Sequence, residues 1–262
     1  VERPYVPGNL RAEGVIVDAM LGTGLGGDVR EPYLLAIHEI NACLLPVLAV
    51  DIPTGLCSDS GRVLGAAVVA DVTVSFIGLK RGLFTLDAPD YTGAIQFTDL
   101  EVPYGAYQRV TPDCERLELE HLLAGLPVRS ASAHKGSYGT VLVVGGDHGM
   151  AGAAAMAAEA ALRSGAGLVR AATRPEHVSA LVARTPEIMA RGVLSGQELE
   201  PLLADASVLV VGPGLGQSPW SEQLLRVAGA CGKPMVLDAD ALNLLIEGRI
   251  IENRHRDNWV LT

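Results

Sequence analysis

The 262-residue chain is 49% hydrophobic and 19% charged, a balance that supports a buried core and argues against disorder. Its formal charge of −10, with no run of Lys or Arg, would repel a polyphosphate backbone, so nucleic acid is not an expected partner. No apolar run reaches the ~18 residues of a membrane span and no signal peptide precedes the first strand, so neither a membrane nor secretion is expected.

The chain opens on Val1 and reaches a strand within a few residues. Strands are predicted at 14–21, 46–51, 71–77 and 94–98, with a helix at 31–43 after a glycine loop. Such alternation implies right-handed crossovers and a parallel sheet whose loops at the strand C-terminal ends carry function. Val102-Pro103-Tyr104-Gly105 and Val110-Thr111-Pro112-Asp113 break the pattern, and 109–127 is polar with one short helical patch. The boundary is therefore placed near 108–116, giving domains 1–108 and 109–262. A second α/β series starts at Thr140-Val141-Leu142-Val143-Val144. Its helix, Met150 to Ser164, is nearly all Ala, Met and Gly, so both faces are expected to be buried or closely approached. Strands follow at 167–172, 207–211 and 234–238, and Asn258 to Thr262 reads as one more. The two ends give the chain the look of an internal piece of a longer protein.

Five segments carry the chemistry. Val15 to Val17 is an apolar strand that ends in Asp18 and then the loop Gly22-Thr23-Gly24-Leu25-Gly26-Gly27-Asp28. Gly22-x-Gly24-x-x-Gly27 fits a dinucleotide fingerprint, and Asp51 at the end of the next strand lies about where a ribose-binding acid would sit. Asp18 tilts the choice toward a different phosphate site, because a carboxylate so near a pyrophosphate needs a cation between them. A tight turn without ligand is the third reading. Asp51-Ile52-Pro53-Thr54-Gly55 brings a carboxylate suited to acid–base work or to binding a hydroxyl, together with the Thr54 oxygen, against the plainer reading of an Asx turn. Arg30 and Tyr33 stand equally for substrate contacts or surface, and Lys80 is read as an exposed loop lysine ahead of a phosphate ligand.

In the second half, Gly145-Gly146 with Gly149, Gly152 and the alanine helix suggests a backbone that a flat ligand approaches, although helix–sheet packing would ask for the same residues. Val211-Gly212-Pro213-Gly214-Leu215-Gly216 is another N–H-rich loop after a strand. Asp238, Asp240 and Asn243 close the next strand with more polarity than packing explains. His38, His121, His177 and His255 have no partner by spacing and are read as surface residues, and His134 leads into a strand. Cys43, Cys57, Cys114 and Cys231 show neither CxxC spacing nor a local His, which indicates no zinc, no redox motif and a reducing compartment. Cys57 has no neighbouring base and is not read as a nucleophile.

Six motifs in register carry a resemblance. They are Asp18-Ala-Met-Leu-Gly-Thr-Gly-Leu25, Val50-Asp-Ile-Pro-Thr-Gly55, His134-Lys-Gly-Ser-Tyr-Gly139, Gly152-Ala-Ala-Ala155 with Ser164-Gly-Ala-Gly-Leu168, Val211-Gly-Pro-Gly-Leu-Gly216 and Leu237-Asp-Ala-Asp-Ala-Leu-Asn243. In order and spacing the chain resembles the bifunctional NAD(P)H-hydrate repair family over nearly its whole length. That resemblance implies a Rossmann-like three-layer α/β domain followed by a ribokinase-like α/β domain, both incomplete here. The first would be an epimerase (isomerase) acting on the R and S hydrates, NADHX and NADPHX. The second would be a dehydratase (lyase) that spends ADP or ATP, with magnesium, to restore NAD(P)H from the S-hydrate. It further implies a cytoplasmic homo-oligomer, with Asp18 and Thr54 as potassium ligands. Gly22, Thr23, Gly24, Leu25, Gly26, Gly27, Asp28, Tyr33 and Asp51 become epimerase substrate contacts, Asp51 being catalytic. Ala155 with Gly214 and Gly216 becomes the dehydratase contact set. The family's Asn-Asn-Gly-Gly-Asp-Gly segment has no counterpart before Val15, and its Gly-x-Gly-Asp loop has none up to Thr262. Outside that resemblance stand an NAD-dependent oxidoreductase, a ribokinase-like small-molecule kinase and, more distantly, a non-enzymatic nucleotide-binding protein.

Overall fold

The computed structural model describes residues 6, 8, 10, 13–126, 128–248, 250, 251 and 256–262. The chain divides into two compact units, Val1–Leu126 and Pro127–Thr262. The first unit therefore takes in the irregular stretch where the sequence places its boundary, together with two short helices, α2 (Tyr104–Tyr107) and α3 (Leu119–Ala124). Among the described residues no helix is long and apolar enough to cross a membrane.

The first unit is a parallel four-stranded sheet in sequence order: β1 (Ile16–Asp18), β2 (Val47–Val50), β3 (Val72–Phe76) and β4 (Ala94–Thr98). Between the first two strands runs α1 (Tyr33–Asn41), which buries Ala36, Ile37 and Ile40. Ile37 and Ile40 meet Val29, Val47, Ala49, Val68 and Ala70 in one apolar cluster. The i, i+1, i+4 spacing on the helix and the alternation along Val47–Val50 are what bring the two faces together. A second cluster, Ile52, Leu56, Ala67, Leu83 and Ala88, lies beneath the loops that follow β2 and β3. The packing thus anchors the loops as well as the sheet.

The second unit is a parallel six-stranded sheet. Its strands are β5 (Thr140–Val144), β6 (Leu168–Thr173), β7 (Met189–Gly192), β8 (Val208–Val211), β9 (Met235–Leu237) and β10 (Trp259–Leu261). Their spatial order is β10-β9-β8-β5-β6-β7. From β5 the chain steps outward through β6 and β7, then returns to β8 on the other side of β5. The sheet's switch point therefore lies between β5 and β8, where open α/β sheets bind ligands. Val144 pairs in register with Val211, and Val211 with Leu237, so these strands deliver their following loops to one edge.

Side chains of β5 alternate between two cores. Leu142 and Val144 pack with α6 (Gly196–Ala204), α7 (Pro219–Ala230) and α8 (Asp240–Ile246). Val143 packs with α4 (Ala151–Arg163) and α5 (Val178–Arg184). Burial on both faces explains the unbroken apolar run. The alanine helix departs from the sequence reading: α4 buries only the face of Ala154, Ala155 and Ala158, and Met156 is 59% exposed on the other. Its small residues serve close approach to the sheet on one side and good helix propensity on the rest.

Candidate functional site

In the first unit, Asp18 is the last residue of β1 and Asp51 follows the last residue of β2, and parallel pairing of the two strands, with Asp18 opposite Ala49, brings both acids to one sheet edge. Asp18 and Thr54 are each 1% exposed. The Thr54 amide donates to Asp18 Oδ2 at 2.8 Å and its hydroxyl to Oδ1 at 2.7 Å. The Leu21 amide donates to Thr54 Oγ1 at 3.0 Å, and the Leu21 carbonyl lies 3.2 Å from the same oxygen. The result is a buried carboxylate, a hydroxyl and a carbonyl at the base of the glycine loop. No Lys, Arg or His among the described residues forms an ion pair with Asp18. Hard oxygens around an uncompensated buried charge suit an alkali cation. No group of three or more His, Cys, Asp or Glu gathers among the described residues to suit a transition metal.

The loop above this cluster is exposed from Gly22 to Asp28 apart from half-buried Leu25, and Tyr33 is 40% exposed at the start of α1. Gly22, Gly24, Gly26 and Gly27 have no positive φ, and a Cβ on any of them would meet nothing within 4 Å. Neither a positive φ nor packing among the described residues requires glycine there.

Asp51 is held in the left-handed region at φ 68°, its amide donating to the Val74 carbonyl at 2.8 Å. Its Oδ1 accepts from the Phe76 amide at 3.0 Å and the Ser75 hydroxyl at 3.3 Å, and forms an ion pair with Lys80. Lys80 also donates to the Phe76 carbonyl at 3.0 Å. Among the described residues no hydrogen bond reaches Asp51 Oδ2. The surface reading of Lys80 is therefore corrected: its side chain is 18% exposed and turned onto the acid. Lys80 lines a cavity of about 560 Å³ together with Thr23, Ser58, Arg81 and Tyr107. Cys57, close in sequence to this loop, has its thiol drawn below the usual range, chiefly by a hydrogen bond with the Ser60 side chain.

In the second unit, the loops after β5 and β8 are stitched together at the switch point. The Gly146 amide donates to the Pro213 carbonyl at 3.1 Å and the Asp147 amide to the Gly214 carbonyl at 2.7 Å. A Cβ on Gly145 would lie 2.1 Å from the Pro213 oxygen, and one on Gly214, at φ 58°, 2.6 Å from the Met150 oxygen. Gly216 has φ 70° and donates its amide to Asp240 Oδ2 at 2.7 Å. Loop-to-loop packing thus accounts for these glycines, whereas Gly149 and Gly152 beside them face open space. Ala155 is 4% exposed within the helix–sheet core.

Sequence reasoning missed the polar centre of this edge. Asp147 Oδ1 accepts from Arg174 Nε at 2.7 Å and from the His148 amide at 2.9 Å, and Oδ2 from the Ser218 hydroxyl at 2.8 Å. Burial pushes the Asp147 carboxyl up, but the hydrogen bonds of Arg174, His148 and Ser218 with the guanidinium charge outweigh it and hold the carboxyl below the usual range. The guanidinium lies 4.2 Å from the centre of the Trp220 ring. His177, read as a surface residue, instead places Nδ1 3.0 Å from the Gly146 carbonyl. His38 and His121 are exposed, and His255 lies outside the described residues.

Two family models match the chain, each over one unit's site. Residues 5–82 match the model described as YjeF-related protein N-terminus, and residues 141–262 the one described as NAD(P)H-hydrate dehydratase. The bifunctional NAD(P)H-hydrate repair enzyme Nnr of Coxiella burnetii is 49% identical over 248 residues, covering 95% of this chain and 50% of that protein. Its namesake in Escherichia coli is 43% identical over 248 residues, covering 95% of this chain and 47% of that protein. Over 95% of its own length the chain is thus similar to bifunctional NAD(P)H-hydrate repair enzymes. It spans about half the length of the curated relatives it matches. Among solved structures, a ribokinase-like superfamily protein from Enterococcus faecalis V583 is 28% identical with a TM-score of 0.50, covering 55% of this chain and 52% of that one. The first match takes in Asp18, the glycine loop, Asp51, Thr54 and Lys80, and the second the stitched loops with Asp147 and Arg174. The fold is accordingly a Rossmann-like unit followed by a ribokinase-like one, both built on parallel sheets.

Proposed function

We propose that the protein repairs hydrated NAD(P)H, its first unit interconverting the R and S hydrates and its second contributing to nucleotide-dependent dehydration of the S-hydrate. The observation that carries this reading is the pairing of both family matches on one chain that is 49% identical to a bifunctional repair enzyme over 248 residues. In the first unit, Gly22 to Asp28 with Tyr33 would receive the dinucleotide, and Asp51 would exchange protons with it. Asp18 and Thr54 would hold potassium, whose charge offsets that of the buried carboxylate beside a phosphate. In the second unit, Ala155, Gly214 and Gly216 would border the hydrate, with ADP or ATP as phosphoryl donor and magnesium accompanying it. Phosphorylating the hydroxyl turns a poor leaving group into a good one, which is why a kinase-like fold suits a dehydratase. The unpaired state of all four cysteines fits a reducing compartment such as the cytoplasm, and we read the working form as a homo-oligomer.

The buried Asp18 also separates this site from an NAD-dependent oxidoreductase, where the same carboxylate would face a pyrophosphate unscreened. The test follows the absorbance of the reduced nicotinamide ring when the intact protein meets NADH hydrate. Recovery only with ADP or ATP is expected. Recovery without nucleotide, or oxidation of an alcohol or acid by NAD, would replace the reading.

A further inference from the structure

We propose that Lys80 is a second catalytic residue of the first unit, an acid that works with Asp51 to open and reclose the hydrate's ring. This rests on the epimerase reading above. Hydration of the ring's enamine double bond puts the hydroxyl on the carbon bonded to the ring nitrogen, since the enamine's far carbon takes the proton and its near carbon the oxygen. That carbon is a hemiaminal centre, with oxygen and nitrogen attached to one atom. Opening it needs a base at the oxygen and an acid at the nitrogen, standing side by side.

Lys80 and Asp51 meet that requirement. They form an ion pair, and Asp51 Oδ2 carries no hydrogen bond among the described residues. Lys80 lines the cavity that Thr23 of the glycine loop also lines. Its position is fixed by the Phe76 carbonyl at 3.0 Å and the Ser75 hydroxyl at 3.3 Å. The hydroxyl proton passes to Asp51 Oδ2, and the O–H electrons become the second bond of an aldehyde. The carbon–nitrogen bond breaks, and its electron pair takes a proton from Lys80. Half a turn of the aldehyde presents its other face. Reclosure then returns the nitrogen's proton to the Lys80 amine and the Asp51 proton to oxygen. No atom is gained or lost and no co-reactant is needed.

The experiment measures conversion of purified R-hydrate to S-hydrate by the intact protein and by Lys80→Ala and Lys80→Arg, with the spontaneous rate subtracted. Arginine keeps the charge beside Asp51 but does not release a proton near neutral pH. Both variants are expected to lose about 100-fold or more in kcat, with KM within about threefold. Ethylammonium added to Lys80→Ala should restore activity in proportion to its concentration. A Lys80→Arg enzyme near wild-type kcat would overturn the proposal and leave Lys80 a charge that positions Asp51. So would an unaffected Lys80→Ala, or one that amines do not rescue while circular dichroism shows it folded. A wild-type protein that converts neither hydrate would remove the epimerase reading itself.

Discussion

Asp147 and Arg174 form an ion pair across the ends of β5 and β6, with Nε 2.7 Å from Oδ1 and side chains 9% and 14% exposed. The pair does more than neutralise two charges. Through Oδ2 the same carboxylate takes the hydroxyl of Ser218, the residue that caps α7, and the guanidinium lies over Trp220 in that helix's first turn. Three strand-end loops and a helix start are therefore tied at one carboxylate, beside the switch point where a nucleotide-using enzyme of this fold would bind its substrates.

Replacing Arg174 by Leu should lower the stability of the second unit by about 3 kcal/mol, because it leaves Asp147 buried with only neutral donors. Both tryptophans of the chain, Trp220 and Trp259, lie in this unit, so tryptophan fluorescence during denaturation reports on it selectively. An unchanged midpoint would mean that the pair is structurally idle.

The same carboxylate sets a pH response. Its pKa lies below the ordinary aspartate value of 3.8, so the folded chain binds that proton less readily than the unfolded one. The stabilisation is fully present above the ordinary value and is lost as pH falls through the depressed one. Denaturation midpoints of the second unit should therefore fall on the acid side of about pH 4. Asp147→Asn, less stable at neutral pH, should show a shallower acid decline. Parallel acid limbs for the two proteins would exclude Asp147 as the titrating group.

The glycines of the two units should respond oppositely to a methyl group. Gly145→Ala puts a Cβ 2.1 Å from the Pro213 oxygen, a backbone atom that cannot swing aside, and should cost about 1–3 kcal/mol. Gly24→Ala meets nothing within 4 Å and should leave stability within about 0.5 kcal/mol. Yet it should weaken hydrate binding by about tenfold, or 1.4 kcal/mol, because the methyl would stand where the ligand approaches. Thermal denaturation and hydrate titration of the two variants separate the cases.

Much of this was legible because it is local. Strand runs such as Thr140–Val144 and Val208–Val211, each ending in glycines, predicted both the parallel sheets and the edge at which the loops gather. Asp18, Asp51 and Thr54 were readable for the same reason: each lies at or just beyond a strand end. Lys80 and Arg174 were not, since each finds its acid 29 and 27 residues away in sequence. Strand pairing brings them together, and no spacing rule anticipates which exposed-looking cation turns inward. Gly214 and Gly216 show the converse limit. A ligand loop and a tightly packed loop ask for the same residue, and only their neighbours, Met150 and Asp147, reveal that packing already requires glycine there.

The Asp18 and Thr54 cluster gives the last expected outcome. If the buried carboxylate serves a potassium ion, epimerisation by the intact protein should rise with potassium chloride and not with the larger tetramethylammonium chloride at equal ionic strength. Asp18→Ala should abolish that response and weaken hydrate binding together. Thr54→Val removes the hydroxyl that donates to Asp18 Oδ1 at 2.7 Å. It should cost about 1–3 kcal/mol of stability in the first unit, the usual penalty for leaving a buried acceptor short of a donor. Thr54→Ser keeps that hydroxyl and should restore both stability and the potassium response. Equal conversion by wild type and Asp18→Ala, with and without potassium, would show instead that the cluster only fastens the loop of Thr54 to the end of β1.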